Sequence, residues 1–422
     1  MRSCFMGHDK SSRAGNLGGL ARVLALAMLA FGAASGCGGS QPGDEPASDG
    51  PATVAKFALE AKTGTWARLG GDLDPAPAEP ASQPSLTFDQ QSRPVVAFSV
   101  HDSVADTDAT AVLGWRGNRW IALGPKLAGG GPSIAADSQD RIAVCLGTTT
   151  QAGPFAARWN GSTWAPLGGD VGVETGYKIG RYSWPTCGGI VTDSSDVPII
   201  AWSADVGSKA NAVYGARWNR RQQRWQGLDP AIDSRATDAS VDIDDQDRVY
   251  IASFTPGGSY AGGATTRVWR WGGAGWKQLG ADMPNTAGPV IAVRGNAAAF
   301  LALSDAAGAT IHVKRWRAGA WQDLPSPGGG SNLALDFTPS GRPVLAYADA
   351  TAPNLIPVKY FADGAWHELG AGIATTAGSS PSLAPTLDLG VDRRGRATVA
   401  WTQGDTATGF AVAVARYDVA LP

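Results

Sequence analysis

Short runs of alternating apolar and small or polar residues recur along most of this 422-residue chain. The first is P-S-L-T-F-D from Pro84, followed by Q-Q-S-R and then P-V-V-A-F from Pro94. The same register returns from Pro132 with Arg141, Gly188 with Val197, Ala239 with Arg248, Pro289, Leu333 with Arg342, and Leu387 with Arg396. Two short β-rich runs joined by a four-residue turn predict a hairpin, whose strands are A and B. Five of these turns open on Asp89, Asp137, Asp193, Asp244 and Asp392, while Arg294 and Thr338 take that place in the other two. An aspartate at the first turn position bonds amides two residues on, so its recurrence reads as turn chemistry rather than metal binding or acid catalysis.

A second hairpin follows each of the first six. Its strand C ends in pairs such as Arg158-Trp159, Arg217-Trp218, Arg315-Trp316 and Lys359-Tyr360, and turn dipeptides such as Asn160-Gly161 and Asp363-Gly364 lead into strand D. Strand D carries the phrase Trp-x-x-Leu-Gly, intact from Trp66, Trp120, Trp164, Trp276 and Trp366 and worn at Trp225 and Trp321. These seven copies lie 44 to 61 residues apart, the spacing of stacked supersecondary units such as propeller blades. Strand B holds a small residue at one register position, Ala97, Ala201, Ala252, Ala302, Ala346 and Ala400, with Cys145 in the seventh copy, which predicts close approach between neighbouring blades. Most of the tryptophans fall at C or D positions and are expected to pack between strands.

Seven A–B hairpins follow residue 84, but the seventh D phrase stands at the other end, at Trp66. The expectation is an all-β, seven-bladed β-propeller over residues 54–422, its last blade shared between N- and C-terminal strands so that no sheet edge stays open at the closure. Both Lys56-Phe57 and Arg416-Tyr417 fit the strand-C slot of that blade. The repeat grammar resembles bacterial seven-bladed propellers with Asp-box or sialidase-like repeats, and the Trp-rich propeller lectins. It departs from the Asp-box order, since here the Asp lies in one hairpin and the Trp in another. A sialidase-like site would require three arginines with a Tyr nucleophile and acidic partners, and no internal signal selects such a set.

The N-terminus adds an address. Arg13 and Arg22 precede an apolar run from Val23 to Ala34 that is too short to span a bilayer, which marks residues 1–36 as an export signal. The run A-S-G-C ending at Cys37 resembles the bacterial lipobox, which implies acylation of Cys37. Residues 38–53, rich in Pro, Gly and Ser, read as a flexible tether. Gly38 after the cysteine favours the outer membrane, by the same resemblance. The mature chain carries 31 Lys and Arg against 36 Asp and Glu, with no basic stripe, which argues against nucleic acid. Cys145 and Cys187, in consecutive repeats, are placed to form a disulfide in an oxidising envelope.

No H-E-x-x-H, Cys-x-x-Cys, G-x-S-x-G or P-loop pattern is present, so neither a catalytic set nor a zinc site is expected and no cofactor is called for. His312 in strand C and His367 beside a packing Trp are expected to be structural. What remains is where the repeats disagree. In a propeller the B–C and D–A loops share one face, and two of them stand out. One is 169–187, with Tyr177, Arg181, Tyr182 and Trp184 offering aromatic faces and a guanidinium fork. The other is 99–110, with His101, Asp102, Asp106 and Asp108, which could meet a ligand's hydroxyls or hold Ca²⁺, with solvated loop acids as the alternative. The leading expectation is a non-enzymatic, lipid-anchored, monomeric envelope protein that binds a glycan or protein partner. The alternative is an enzyme degrading polysaccharide or glycoconjugate.

Overall fold

A computed structural model describes residues 64–421, apart from 74–79, 103–104, 149–152, 178–184, 206–210, 229–231, 234, 258–262, 296–297, 376–385 and 406–408. The signal, Cys37 and the tether lie outside the described residues. From Lys62 onward the chain forms one compact unit. Seven antiparallel sheets of four or five strands follow one another, and each strand A packs on the next, the seventh against the first. The chain is a seven-bladed β-propeller. Blade one is Ala81–Phe88, Pro94–Asp102, Thr107–Arg116 and Arg119–Ala122. Blade seven joins Leu387–Val391, Ala397–Asp405 and Gly409–Tyr417 to Trp66–Arg68 from the other end of the chain.

Arg416-Tyr417 therefore fills strand C of the closing blade, with Trp66 paired to Tyr417. The Tyr417 hydroxyl accepts from Gly64 N–H at 2.8 Å, and Asp418 accepts from both the amide and the hydroxyl of Thr65. The ring is thus shut by sheet pairing and by side chains together.

The recurring phrase has a plain physical cause. Each strand-D Trp donates its indole N–H across the junction to a carbonyl of the preceding blade, at 2.5 to 2.8 Å. The acceptor is the Leu of that blade's own phrase: Leu69 for Trp120, Leu123 for Trp164, Leu167 for Trp225, Leu228 for Trp276 and Leu279 for Trp321. Trp66 reaches Leu369 and so carries the chain of bonds over the closure. Trp366 meets Pro325 instead, one residue past the Leu of the preceding phrase. The following glycine sits beneath the next blade's aromatic pair. Gly124 has φ +79, and a Cβ there would lie 2.7 Å from Trp159, so both backbone and space demand glycine. All seven strand-C and strand-D aromatics pair, from Trp115–Trp120 at 5.2 Å round to Trp66–Tyr417 at 5.3 Å.

The turn aspartates act as expected. Asp89 Oδ1 accepts from the amides of Gln91 and Arg93, and Oδ2 from the guanidinium of Arg93. Asp137, Asp193, Asp244 and Asp392 accept the same two amides in their own turns. The small strand-B residues are fully buried in every blade.

Candidate functional site: the loop face

Strand alternation puts the B–C and D–A connections at one end of every blade and the A–B and C–D turns at the other. The connection from blade two to blade three carries the lone helix among the described residues, Val171–Thr175. Asp170 caps it by accepting from Gly172 N–H at 2.8 Å, and Gly176, with φ 74, ends it. Glu174 then fastens this turn to the sheet, one carboxylate oxygen accepting from Gly169 N–H and the other from Trp225 N–H at 2.7 Å.

Tyr177 follows directly, and its placement is one of packing. Its ring lies 4.6 Å from Tyr214 and 5.7 Å from Trp202, and its hydroxyl donates to the Gly215 carbonyl at 3.2 Å. Arg181, Tyr182 and Trp184 fall outside the described residues. Past them, Cys187 in strand A of blade three is joined by a disulfide to Cys145 in strand B of blade two, their Cα atoms 5.9 Å apart. The connection is therefore fixed at both ends, by the helix and Tyr177 on one side and by the disulfide on the other. Trp202, fully buried, has no hydrogen-bond partner for its indole N–H among the described residues.

In blade one, His101 Nδ1 lies 2.9 Å from Asp108 and Nε2 lies 3.9 Å from Asp106. Asp102 accepts from the Ala105 amide at 2.9 Å, which is turn chemistry. The histidine and both its acidic neighbours are well exposed. Among the described residues no group of three or more His, Cys, Asp or Glu is arranged to hold a metal ion. His312 lies in strand C of blade five, and His367 stacks on Tyr360 at 5.2 Å.

The polar groups that sequence reasoning missed lie on the innermost strands. Strand A is the inner edge of each sheet, so its outward amides need partners beyond its own blade. The preceding blade supplies them: Asp242 accepts from Val293 N–H at 2.6 Å, Asp336 from Val391 at 2.6 Å and Asp388 from Leu86 at 2.7 Å. Ser85, Ser133 and Ser240 do the same for Ile134, Ile190 and Ile291. Burial lifts all three carboxyls against these bonds, Asp242 to about 7 and Asp336 and Asp388 to about 6. Because Asp and Ser share the task, no single letter repeats and the pattern escapes a search for identity.

No protein-family model and no curated protein matches the chain by sequence. Solved structures match by fold. A protein of unknown function from Dyadobacter fermentans superposes with a TM-score of 0.50 and 12% identity, over 84% of this chain and 99% of the other. The polysaccharide lyase Uly1 gives 0.51 and 8% identity, over 82% and 91%. The fucose-specific lectin from Aleuria aurantia gives 0.42 and 14% identity, over 70% and 97%. At these identities the likeness is one of fold.

Proposed function

We propose that this protein is a lipid-anchored propeller of the bacterial outer membrane, held at Cys37, that binds a glycan or a protein partner through its loop face without chemical turnover. The observation that carries the reading is the blade two to blade three connection. A helix, Glu174, Tyr177 and a disulfide anchor both ends of this segment, and among the described residues no other connection carries a helix or a disulfide. Packing has no need of such an insertion, whereas a binding loop gains from a fixed base, because less freedom is lost on association. The recurrent carboxylates support the same view, since each is bonded to the scaffold. Arg181, Tyr182 and Trp184 are the proposed contacts, with His101 and the acids around it at the rim, two blades away.

The test screens the full chain against envelope and extracellular glycans, with release of reducing ends or unsaturated products followed alongside. Binding without turnover supports the proposal, and turnover would replace it with a polysaccharide-degrading enzyme. Once a ligand is found, a triple change of Arg181, Tyr182 and Trp184 to Ala should abolish binding with the melting temperature unchanged. Tyr177 is left in place because its loss would loosen the base of the loop. Retained affinity in the folded triple variant would move the site elsewhere.

A further inference from the structure

On the face opposite the loops, the A–B turns of neighbouring blades are linked by carboxylates. The second residue of a turn donates its amide to an Asp at the fourth position of the next blade's turn. Gln90 donates to Asp140, Ser138 to Asp196 at 2.8 Å and Ser194 to Asp247 at 2.7 Å. The hydroxyls of Ser138 and Ser194 each reach the second oxygen of the same carboxylate. The link joins blades one to four; the fourth turn position is Ala297, Gly341 and Gly395 in blades five to seven, and between blades seven and one it is again not an acid. The second position is Arg393 and the fourth is Ser92, which keeps the left-handed backbone at φ 60 but brings no carboxylate.

A hollow of about 400 Å³ opens at that junction, walled by Arg93, Arg394, Arg396, Arg416, Trp115 and Asn118. The nearest acids are already engaged. Asp89 is bonded to Arg93 and Arg116, and Asp392 to both Nε and a terminal nitrogen of Arg396. Arg396 and Arg416 donate to the carbonyl of Ser92 at 3.4 and 3.3 Å. The exposed guanidinium of Arg394 has no hydrogen bond or ion pair among the described residues. Burial, followed by the charge of Arg396, pulls Arg416 down to about 10.

We propose that this junction binds a carboxylate-bearing sugar unit, whose carboxylate takes the role that Asp140, Asp196 and Asp247 play at three other junctions. A planar carboxylate matches the guanidinium fork in geometry and charge. The hollow is far larger than an inorganic ion, and it offers an indole wall and the Asn118 amide to a ring and its hydroxyls. The site lies on the opposite face from the B–C and D–A connections and does not depend on the loop-face reading.

The experiment titrates the full chain at low salt with trigalacturonate, a neutral trisaccharide, sulfate and a triglutamate peptide, for the wild type, Arg394→Ala and Ser92→Asp. Ser92→Asp places a carboxylate where three other junctions have one, and so should block the site from within. Expected are binding of trigalacturonate alone, a loss of at least tenfold in both variants with melting temperatures kept, and weakening by salt. Arg394 is exposed and unbonded, so its variant decides the matter should Ser92→Asp fold poorly. Equal binding of the neutral sugar, of sulfate or of the peptide, or undiminished binding by folded Arg394→Ala, would overturn the proposal.

Discussion

Asp242 offers a test of how the innermost strands are held together. Its two carboxylate oxygens accept from Val293 N–H at 2.6 Å and Ile243 N–H at 2.8 Å, yet burial outweighs both bonds and lifts the group to about 7. An unfolded aspartate titrates near 3.9, so the folded chain holds this proton more tightly. Its contribution to stability is then complete below about pH 4 and is lost as pH climbs through about 7. A gap of about three pH units, at about 1.36 kcal/mol each, makes the ionised group cost about 4 kcal/mol by pH 8. Asp242→Asn keeps the volume and cannot ionise, and it can accept from only one of the two amides, a loss of about 1 kcal/mol. The variant should therefore be slightly less stable than wild type at pH 4 and about 3 kcal/mol more stable at pH 8, with the crossing between roughly pH 4 and 5. Urea unfolding followed by tryptophan fluorescence, at constant m-value, reads this directly. A stability difference that stays flat from pH 4 to 8, or a variant weaker at pH 8, would refute the account of these carboxyls.

Three further outcomes follow from the same structure. Trp225→Phe removes an indole bond in a fully buried setting and strands the Leu167 carbonyl, so it should cost about 3 kcal/mol, while Trp366→Phe, whose bond to Pro325 is exposed, should cost under about 1.5 kcal/mol in the same denaturation assay. Replacing Cys145 and Cys187 by Ala opens a link of 42 residues and should lower stability by about 4 kcal/mol, and intact-mass analysis of the unreduced wild type should find no alkylated thiol at either position. Deleting the chain from Leu387 leaves Trp66–Arg68 without its partner strand and blade one without its neighbour, so light scattering should report oligomers or unfolded chain, whereas a monomer with an unchanged melting temperature would contradict the shared closure.

Much of the fold was legible because its strongest constraints act at fixed identity. An indole N–H aimed at a carbonyl one blade back calls for Trp, and a left-handed backbone beneath the next aromatic pair favours Gly, kept in five of the seven copies, so both repeat as letters. The same logic made blade seven countable, since Trp66 had to have a home. The strand-A clamps repeat as a function rather than a letter: Ser85, Ser133, Asp242 and Asp388 all accept an amide, and any short acceptor serves. The helix Val171–Thr175 escaped because a single turn, set by a cap and by Glu174 reaching Trp225, has no apolar period to betray it. Tyr177, expected to offer its face to a ligand, packs instead, because its hydroxyl bond to Gly215 depends on a neighbour 38 residues away that no local pattern reveals.

These differences in legibility bear on where function can sit. Bonds cross the junctions of this propeller at three levels: indole bonds outside at all seven, strand-A clamps inside at five, and turn carboxylates on one face at three. At the junction of blades seven and one the first two levels are intact, through Asp388 to Leu86 and Trp120 to Leu69. The turn carboxylate is absent here, as it is after blade four, and at this junction cationic side chains gather in its place. A junction held at two levels can give up the third without opening, so that position is free to meet a ligand in a way that Trp120 or Asp388 is not. The insertion between blades two and three reaches the same freedom by addition, since the helix and disulfide lie outside all three levels and leave the Trp225 bond to Leu167 in place.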